Sequence, residues 1–334
     1  MIKKPIYIFI VFIIISVFLT IFLDTWIKGC FFILRYVTNA RDWRYSTVDN
    51  KTVLKEYLSL KTTYSPYVIW KKPHHSGKYI NIDTSGERIV PQSVKGGKKI
   101  FVFGGSTVLG WGVPDNCTIP AYIAEKTKAE VHNLGCSGYV LEQNIIDLIL
   151  HLQKGDIPDT AIFYEGINDV WLLVQKTSPD KHLQYLRISN MFNVRKSFFH
   201  GFYLLKRMFE EHKRFKHAPD IGINQLISLR SHFESSLKIL DALSEKYGFK
   251  YKVFLQPTIF NCKDDKRKRF ILSHYSKGLT NIYDSAYKEL RKIKNNKFID
   301  ISLSIDLNSS YFFDYAHINR IANKKISKVI LEKI

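Results

Sequence analysis

The pattern of hydrophobic and polar positions changes twice along the chain. Residues Pro5 to Leu23 carry no charge and are nearly all isoleucine, phenylalanine, valine and leucine. Arg41 to Ser93 then show short polar–apolar alternation interrupted by prolines and glycines, which predicts a small β-rich or extended preface. From Lys98 onward, short runs of β-branched and aromatic residues alternate with longer stretches of helical period. This alternation is typical of βαβ units with a parallel sheet.

The third region predicts five strands and five helices. The predicted strands are Lys99–Phe103, Glu130–Asn133, Thr160–Tyr164, Lys250–Leu255 and Lys297–Ile299. The predicted helices are Ile119–Lys126, Leu141–Leu152, Ile223–Tyr247, Ile282–Lys292 and Arg320–Glu332. A stretch that fits no strand–helix unit predicts a mostly helical insertion at residues 179–218. The expected organisation is a membrane anchor, a linker with the preface, and an α/β domain, at residues 1–28, 29–97 and 98–334.

The apolar segment Pro5–Leu23 predicts a transmembrane helix. Its 19 residues, at about 1.5 Å per residue, approach the roughly 30 Å hydrocarbon thickness of a bilayer. A cleaved signal peptide is the alternative, but the run is longer than a usual apolar core of such a peptide, and Asp24, Trp26 and Lys28 follow where small residues are expected. Gly29–Cys30 bears a faint likeness to a lipoprotein cleavage site, which is a minor alternative.

The charges on either side of the segment predict its orientation. Lys3 and Lys4 precede it and favour a cytoplasmic N-terminus, although Lys28 and Arg35 on the other side weaken the bias. We therefore expect a single-pass membrane protein whose body lies on the periplasmic or extracellular side.

Composition narrows the classes of protein that fit. The 334 residues include 46% hydrophobic positions, which allows a sizeable core, and 50 Lys+Arg against 30 Asp+Glu give a net charge of +20. A positive surface suits nucleic acid, anionic lipid or acidic glycan, but no nucleic-acid motif accompanies the charge, so no nucleic-acid partner is expected. Four cysteines without a C-x-x-C pair argue against a disulfide scaffold or a cysteine zinc site. Whether Cys117 and Cys136 form a bridge stays open.

A serine, a histidine and an aspartate stand where open α/β sheets place their sites, at the carboxyl ends of strands. Gly104–Gly105–Ser106–Thr107 follows the first predicted strand, and its glycines let the backbone turn sharply and present the Ser106 hydroxyl. The lysine of a phosphate-binding loop is missing. Asp314 and His317 come just before the last predicted helix, at a spacing that lets Asp314 fix the tautomer of His317 while the other ring nitrogen faces Ser106.

Two further segments offer hydrogen-bond donors at the same edge of the sheet. Residues 133–139 supply flexible backbone whose N–H groups can point into a cleft, and Asn168 supplies a side-chain amide. Acyl transfer needs such donors for the oxyanion of its tetrahedral intermediate, and losing one typically costs about 10²–10³ in rate. Glu165 and Asp169 flank the amide, but a carboxylate beside a turn more often caps a helix or meets solvent, so neither is given a catalytic role.

The four segments together resemble the SGNH (GDSL-like) hydrolase family. They occur in the order Gly-Gly-Ser, Asn-x-Gly-x-x-Gly, Gly-x-Asn-Asp and Asp-x-x-His, and the resemblance covers about Lys98 to Ile334. It implies a flavodoxin-like three-layer α/β/α fold and neither a metal nor a cofactor. One departure is that the usual Gly-Asp-Ser is Gly-Gly-Ser here, which removes a carboxylate near the nucleophile and keeps the nucleophile.

The resemblance also implies a role for each site residue. Ser106 is the expected nucleophile, His317 the general base and Asp314 its orienting carboxylate. Asn168 and the Gly138 N–H are expected to complete the oxyanion hole. Gly135 is the nearest rival to Gly138, because only spacing distinguishes the two.

The predicted function is that of a membrane-anchored serine esterase or deacylase acting on an O-acyl group, foremost an acetyl, of a cell-envelope glycan. The expected partners are an acylated glycan or lipid substrate and, through the N-terminal helix, a membrane. Three alternatives stay open. An O-acyltransferase would pass the acyl group to a sugar hydroxyl through the same triad, a lipid esterase would act as a lysophospholipase does, and a glycan-binding module would use the fold without catalysis.

Overall fold

The structure is a computed structural model that describes residues 3–40, 44, 47–49, 51–192, 218–303 and 308–334. The described helices are α1 Lys3–Ala40, α2 Lys51–Ser59, α3 Ser106–Leu109, α4 Ile119–Thr127, α5 Leu141–Gln153, α6 Ile167–Val174, α7 Tyr185–Met191, α8 Ile223–Tyr247, α9 Lys266–Leu272, α10 Leu279–Leu290 and α11 Arg320–Leu331. The described strands are β1 Thr63–Ser65, β2 Ile69–Lys71, β3 His75–Ser76, β4 Asn81–Ile82, β5 Lys99–Gly104, β6 Glu130–Gly135, β7 Thr160–Glu165, β8 Lys250–Leu255 and β9 Phe298–Asp300.

Contacts divide the chain into two compact units. The first comprises Met1–Trp43 and Gln184–Lys216, and the second comprises Arg44–Leu183 and His217–Ile334. In the first unit, α1 contains a 21-residue stretch, Tyr7–Ile27, that is long and apolar enough to cross a membrane. A signal sequence near the N-terminus can also be long and apolar enough to do so. The predicted apolar segment is therefore helical, and its helix continues to Ala40.

The predicted insertion is described only in its first part. Residues 179–192 include α7, which agrees with a helical insertion, and residues 193–217 lie outside the described residues.

The second unit is built around a five-stranded parallel sheet. Its strand order is β6-β5-β7-β8-β9, which in chain order of these strands is the flavodoxin-like order 2-1-3-4-5. The register aligns Gly104 with both Gly135 and Tyr164, so the ends of three neighbouring strands meet at one edge. The predicted α/β class with a parallel sheet is confirmed.

Helices cover both faces of this sheet. The chain adds β6 on one side of β5 and then β7, β8 and β9 on the other side, so the connecting helices fall on opposite faces. On one side α4 packs against α11, and on the other α8 contacts both α5 and α10. The strands are buried on both faces and read as continuous apolar runs, as in Phe101–Val102–Phe103. The predicted stripe on α8 is core, and its buried members include Leu226, Leu229, Phe233, Leu237 and Leu240.

The preface contains short strands, as its sequence predicts, and one helix that was not predicted. Its longest element is the helix α2, accompanied by two small antiparallel pairs, β1–β2 and β3–β4. Leu54 and Tyr57 of α2 are buried in one cluster with Trp111 and Phe313 from the α/β region. Residues 44–97 therefore belong to the same compact unit as the sheet, because their apolar side chains are buried against it.

Hydrogen bonds join the start of this unit to the loop before its last helix. The hydroxyl of Thr47 donates to the carbonyl oxygen of Phe313 at 2.6 Å, across 266 residues of sequence. The guanidinium of Arg267 donates to the carbonyl oxygens of Thr47 and Phe312 at 3.0 and 2.9 Å. The loop before α11 is thus hydrogen-bonded both to Thr47 at the start of the unit and to Arg267 in α9.

Candidate active site

Ser106 stands at the carboxyl end of β5, as the first residue of α3. The turn that places it there is tight. A Cβ added at Gly104 would lie 2.5 Å from Cγ2 of Val108 and 2.8 Å from the carbonyl oxygen of Tyr164. Only glycine fits such a close approach, and the turn presents the Ser106 hydroxyl at the edge of the sheet.

The three predicted triad residues form one continuous chain of hydrogen bonds. Ser106 Oγ lies 2.7 Å from His317 Nε2, and His317 Nδ1 lies 2.6 Å from Asp314 Oδ2. The carboxylate makes Nδ1 the protonated ring nitrogen, which leaves the lone pair of Nε2 facing the hydroxyl. This is the arrangement in which a histidine accepts a proton from a serine.

Asp314 is 1% exposed and is held by its own loop. Its Oδ1 accepts the backbone N–H groups of Ala316 and His317 at 2.9 and 2.8 Å. Burial by itself raises the pKa of this carboxyl, but the charge of His317 and these hydrogen bonds outweigh burial and place the pKa below its ordinary value. Asp314 is therefore an ionised carboxylate at neutral pH.

The ring of His317 stacks on an indole that the sequence analysis did not select. The ring centroids of Trp111 and His317 are 4.5 Å apart at an interplanar angle of 20°. Trp111 is buried and contacts Tyr57 and Phe313, and the guanidinium carbon of Arg44 lies 5.4 Å from the centroid of its indole ring. The stack fixes the plane of the imidazole in addition to the bond from Asp314.

Asn168 lies in the first turn of α6, next to the nucleophile. Its Nδ2 donates to the carbonyl oxygen of Tyr139 at 2.6 Å. A Cβ added at Gly105 would lie 2.5 Å from the same Nδ2. The Gly-Gly-Ser variant thus makes room for the amide, whose second N–H has no acceptor among the described residues.

The two candidate glycines of the second segment differ in their hydrogen bonds. Gly135 N–H donates to Oδ1 of Asn133 at 3.1 Å, and a Cβ added at Gly135 would collide with the backbone nitrogen of Leu109. Gly138 has φ +81°, and its N–H has no acceptor among the described residues. Its position is also more open, since an added Cβ would meet only Leu183 and Trp70, at 3.6 and 3.7 Å. Gly138 is therefore the glycine whose backbone N–H is available to donate a hydrogen bond to a substrate.

A third donor was missed by the sequence analysis. Ser106 N–H, at the start of α3, has no acceptor in the part of the chain that the structure describes. The first N–H groups of any helix lack intrahelical partners. This rule would have identified the donor once Ser106 was placed at a helix start.

Two preface residues hold the segment that carries Gly138. The hydroxyl of Tyr57 lies 2.6 Å from Oγ of Ser137, and the indole Nε1 of Trp70 donates to the carbonyl oxygen of Ser137 at 3.0 Å. Nothing in the local sequence marks either residue, because the contacts join positions 67 to 80 residues apart.

Arg88, also in the preface, fixes the loop after the nucleophile. Its side chain is fully buried and donates to the carbonyl oxygens of Leu109, Gly110 and Val113 at 2.6, 2.8 and 2.8 Å. Its Nε pairs with Oδ1 of Asp115 at 2.8 Å. Burial of a charged guanidinium is tolerated here because its N–H donors have hydrogen-bond acceptors.

The two acidic residues of the third segment have structural contacts. Asp169 accepts the N–H groups of Gly166 and Leu141, so it caps α6 and also meets the first residue of α5. Glu165 is buried and accepts from Nδ2 of Asn144 at 2.6 Å. Burial raises the pKa of Glu165 well above its ordinary value, with a further contribution from the charge of Asp169. Both carboxylates thus hold backbone or side-chain groups of neighbouring helices.

Cys117 and Cys136 are both free thiols. Among the described residues no group of three histidine, cysteine, aspartate or glutamate side chains is placed to hold a metal ion.

No family model and no curated protein matches this sequence. Among solved structures, the acetyl xylan esterase AlAXEase is 15% identical with a TM-score of 0.39, covering 71% of this chain and 99% of its own. A putative lipolytic protein of the G-D-S-L family from Desulfitobacterium hafniense DCB-2 is 12% identical with a TM-score of 0.37, covering 71% and 99%. Axe2, an acetylxylan esterase from Geobacillus stearothermophilus, is 15% identical with a TM-score of 0.34, covering 72% and 95%.

These structural neighbours bear the names of esterases and of a GDSL-family protein, the same class that the four sequence segments resemble. At TM-scores below 0.5, the likeness by itself assigns neither a family nor a substrate to this chain. The site geometry is the stronger guide to chemistry.

Proposed function

We propose that this chain is a serine esterase that removes O-acyl groups, foremost acetyl, from a cell-envelope glycan. The observation that carries the proposal is the continuous hydrogen-bond chain from Ser106 through His317 to Asp314, with heavy-atom distances of 2.7 and 2.6 Å. A hydroxyl, an imidazole and a buried carboxylate in this order are the parts that nucleophilic acyl transfer needs.

In the first half-reaction, Ser106 Oγ attacks the carbonyl carbon of the ester while His317 Nε2 takes the hydroxyl proton. The negative charge that develops on the carbonyl oxygen accepts hydrogen bonds from Gly138 N–H, Ser106 N–H and the free N–H of Asn168. The carbon–oxygen bond to the sugar then breaks, and His317 returns its proton to the leaving sugar oxygen. An acyl-enzyme on Ser106 and a free sugar hydroxyl result.

In the second half-reaction, water attacks the acyl carbon and gives a proton to His317 Nε2. The second tetrahedral intermediate uses the same three donors. When it collapses, Ser106 leaves, recovers its proton from His317, and the free acid is released. Asp314 stays ionised throughout and stabilises the imidazolium that forms twice in each cycle.

A half-buried aromatic pair beside the triad supports a sugar-bearing substrate. The rings of Trp171 and Tyr315 stack with centroids 5.6 Å apart. Trp171 follows Asn168 by three residues, which is nearly one turn of α6, and Tyr315 lies between Asp314 and His317. Flat aromatic surface with polar groups close by suits the apolar face and hydroxyls of a pyranose ring.

The N-terminal helix supports a proposal for the side of the membrane on which the substrate is found. We propose that α1 spans the membrane, with the second unit on the periplasmic or extracellular side. An enzyme held there meets envelope glycans at high local concentration. The net charge of +20 would also attract an acidic glycan.

The experiment that tests the proposal compares wild-type protein with Ser106→Ala. We expect the variant to lose hydrolysis of a chromogenic acetate ester and labelling by a serine-directed phosphonate, while its thermal unfolding is unchanged. Ser273→Ala, which removes an exposed hydroxyl from the C-terminus of α9, is the matched control and should behave as wild type. Undiminished turnover or labelling of Ser106→Ala would reject Ser106 as the nucleophile.

A substrate panel separates this proposal from its alternatives. Acetylated sugars, short acyl esters and lysophospholipids are offered in turn, and the products are identified by mass. Release of acetate from the sugars supports the esterase, whereas transfer to an added glycan acceptor identifies a transferase and preference for lysophospholipid a lipid esterase. Binding of glycan without turnover would leave only the binding module.

A further inference from the structure

The donor at Gly138 depends on the orientation of a single peptide group. Residues 136–139 form a turn closed by a hydrogen bond from Tyr139 N–H to the carbonyl oxygen of Cys136 at 3.1 Å. Gly138 has φ +81°, while Ser137 is not among the residues with positive φ, so the turn is of type II. Types I and II differ by a flip of the central peptide, here Ser137–Gly138. The flip would turn the Gly138 N–H away from its present direction.

A side chain of the preface holds this peptide in one of its two orientations. The indole Nε1–H of Trp70 donates to the carbonyl oxygen of Ser137 at 3.0 Å. In a trans peptide the C=O and the following N–H point in opposite directions. Holding the carbonyl of Ser137 on the Trp70 side therefore directs the Gly138 N–H to the other side. A bond accepted at the carbonyl also polarises the peptide and strengthens its N–H as a donor.

Trp70 is itself firmly placed. Its side chain is 8% exposed and packs edge-on against Tyr139, at 5.5 Å between ring centroids. The hydroxyl of Tyr139 donates to the carbonyl oxygen of Trp70, and Nε2 of Gln143 donates to that of Val68 at 3.0 Å. The indole is thus held in place by a contact to its ring and by hydrogen bonds to the backbone carbonyls of Trp70 and Val68.

The backbone before Trp70 is strained. Ile69 has φ +75°, and Trp70 N–H bonds to the carbonyl oxygen of Val68 at 3.0 Å, which makes a γ-turn centred on a β-branched residue. Strain of this kind persists only where surrounding contacts fix the backbone. Here those contacts are the ones that place the indole N–H.

We propose that Trp70 is a positioning residue of the oxyanion site, whose indole N–H holds the Ser137–Gly138 peptide so that the Gly138 N–H faces the reacting carbonyl. The inference rests on the proposed function, because it assigns a role within the same acyl transfer. It gives the preface a part in catalysis through a hydrogen bond, without contact to the substrate.

The test replaces Trp70 by phenylalanine in the full-length protein. Trp70→Phe keeps an aromatic ring and removes the indole N–H. Loss of one neutral hydrogen bond predicts a fall in kcat of about three- to tenfold, below the 10²–10³ that follows from complete loss of an oxyanion donor. KM for a chromogenic acetate ester should not change, and affinity for a trifluoromethyl ketone, whose adduct carries the oxyanion, should fall by the same factor as kcat. Tyr64→Phe, at the exposed cross-strand partner of Trp70, is the matched control.

Active-site titration with a phosphonate counts folded sites, so that a folding defect is not mistaken for a slow enzyme. Gly138→Ala places a side chain at positive φ and also disfavours the present turn. Because both changes release one peptide, the double variant should lose less than the product of the two single losses. An unchanged kcat in Trp70→Phe, a change in KM alone, or multiplicative losses in the double variant would overturn the role of Trp70. Activity that survives in Ser106→Ala would instead reject the proposed function.

Discussion

Replacing Asp314 by asparagine tests how much of the site depends on one carboxylate oxygen. Oδ1 of Asp314 accepts two backbone N–H groups, and Oδ2 lies 2.6 Å from Nδ1 of His317. In Asp314→Asn the amide oxygen should keep the backbone bonds, because the reverse orientation would set the NH₂ against two donors. The NH₂ would then face Nδ1.

A donor facing Nδ1 reverses the tautomer of His317. Nδ1 must accept, so Nε2 carries the proton and points it at Ser106 Oγ, 2.7 Å away. The imidazole in that state cannot take the serine proton. The same exchange in serine triads lowers kcat by about 10⁴, which corresponds to about 5 kcal/mol of transition-state stabilisation at roughly 1.4 kcal/mol per factor of ten.

Stability should change in a pH-dependent way. The pKa of Asp314 is lower in the folded protein than its ordinary value, so folding favours the ionised carboxylate. Its contribution to the free energy of unfolding is fully present above the unfolded pKa, about 3.9, and is lost as pH falls through the folded pKa. The difference in stability between wild type and Asp314→Asn should therefore shrink in acid.

The assay measures kcat and KM for a chromogenic acetate ester, with urea unfolding at neutral and acid pH alongside. Asp264→Asn, which neutralises a 61% exposed carboxylate paired with Arg269, is the matched control and should leave kcat unchanged. If Asp314→Asn kept kcat within tenfold of wild type, the tautomer reasoning would be refuted. If its stability deficit grew in acid, the direction of the Asp314 pKa would be wrong.

Two further predictions concern the room around Asn168 and the N-terminal helix. Gly105→Ala would set a Cβ 2.5 Å from Nδ2 of Asn168 and displace the amide. We therefore expect kcat to fall by at least about tenfold, and by up to about 10²–10³ if the donor is lost completely. An unchanged kcat would show that the amide does not serve the oxyanion. The full-length chain should stay with membranes after high-salt and alkaline washing, whereas a chain that starts near Arg41 should be soluble; release of the full-length protein by salt alone would contradict a spanning helix.

The strands and the triad were predictable from the sequence because each depends on local pattern. β5 and β7 are short, largely apolar strands buried on both faces, and their observed bounds differ from the predicted ones by at most one residue. Ser106, which follows a strand, and Asp314 and His317, which precede the last helix, were predicted from short local motifs. The helix α2 was not predicted, because it forms where Leu54 and Tyr57 pack on side chains that are distant in sequence.

The supporting residues could not be read from the sequence for the same physical reason. Trp70 acts through one hydrogen bond and Arg88 through several, in each case to backbone carbonyls of other segments, and every carbonyl presents the same chemistry in a sequence. In the sequence alone, Gly135 and Gly138 are two glycines with the same backbone flexibility. The bond from Gly135 N–H to Asn133, the positive φ of Gly138 and the room around each residue distinguish them, and all three require coordinates.

The bond between Thr47 and Phe313 sets the order in which the site can be completed during synthesis. The two residues are 266 positions apart, so the ribosome must add the intervening residues before Phe313 exists to accept the Thr47 hydroxyl. Contacts of such long sequence separation close late, because the entropy of the intervening loop must be overcome first. Ser106 emerges early, but the loop that carries Asp314 and His317 gains its tie to the preface only at the end. In the proposed mechanism, the growing chain therefore carries an unactivated Ser106 until the loop with Asp314 and His317 has joined the fold.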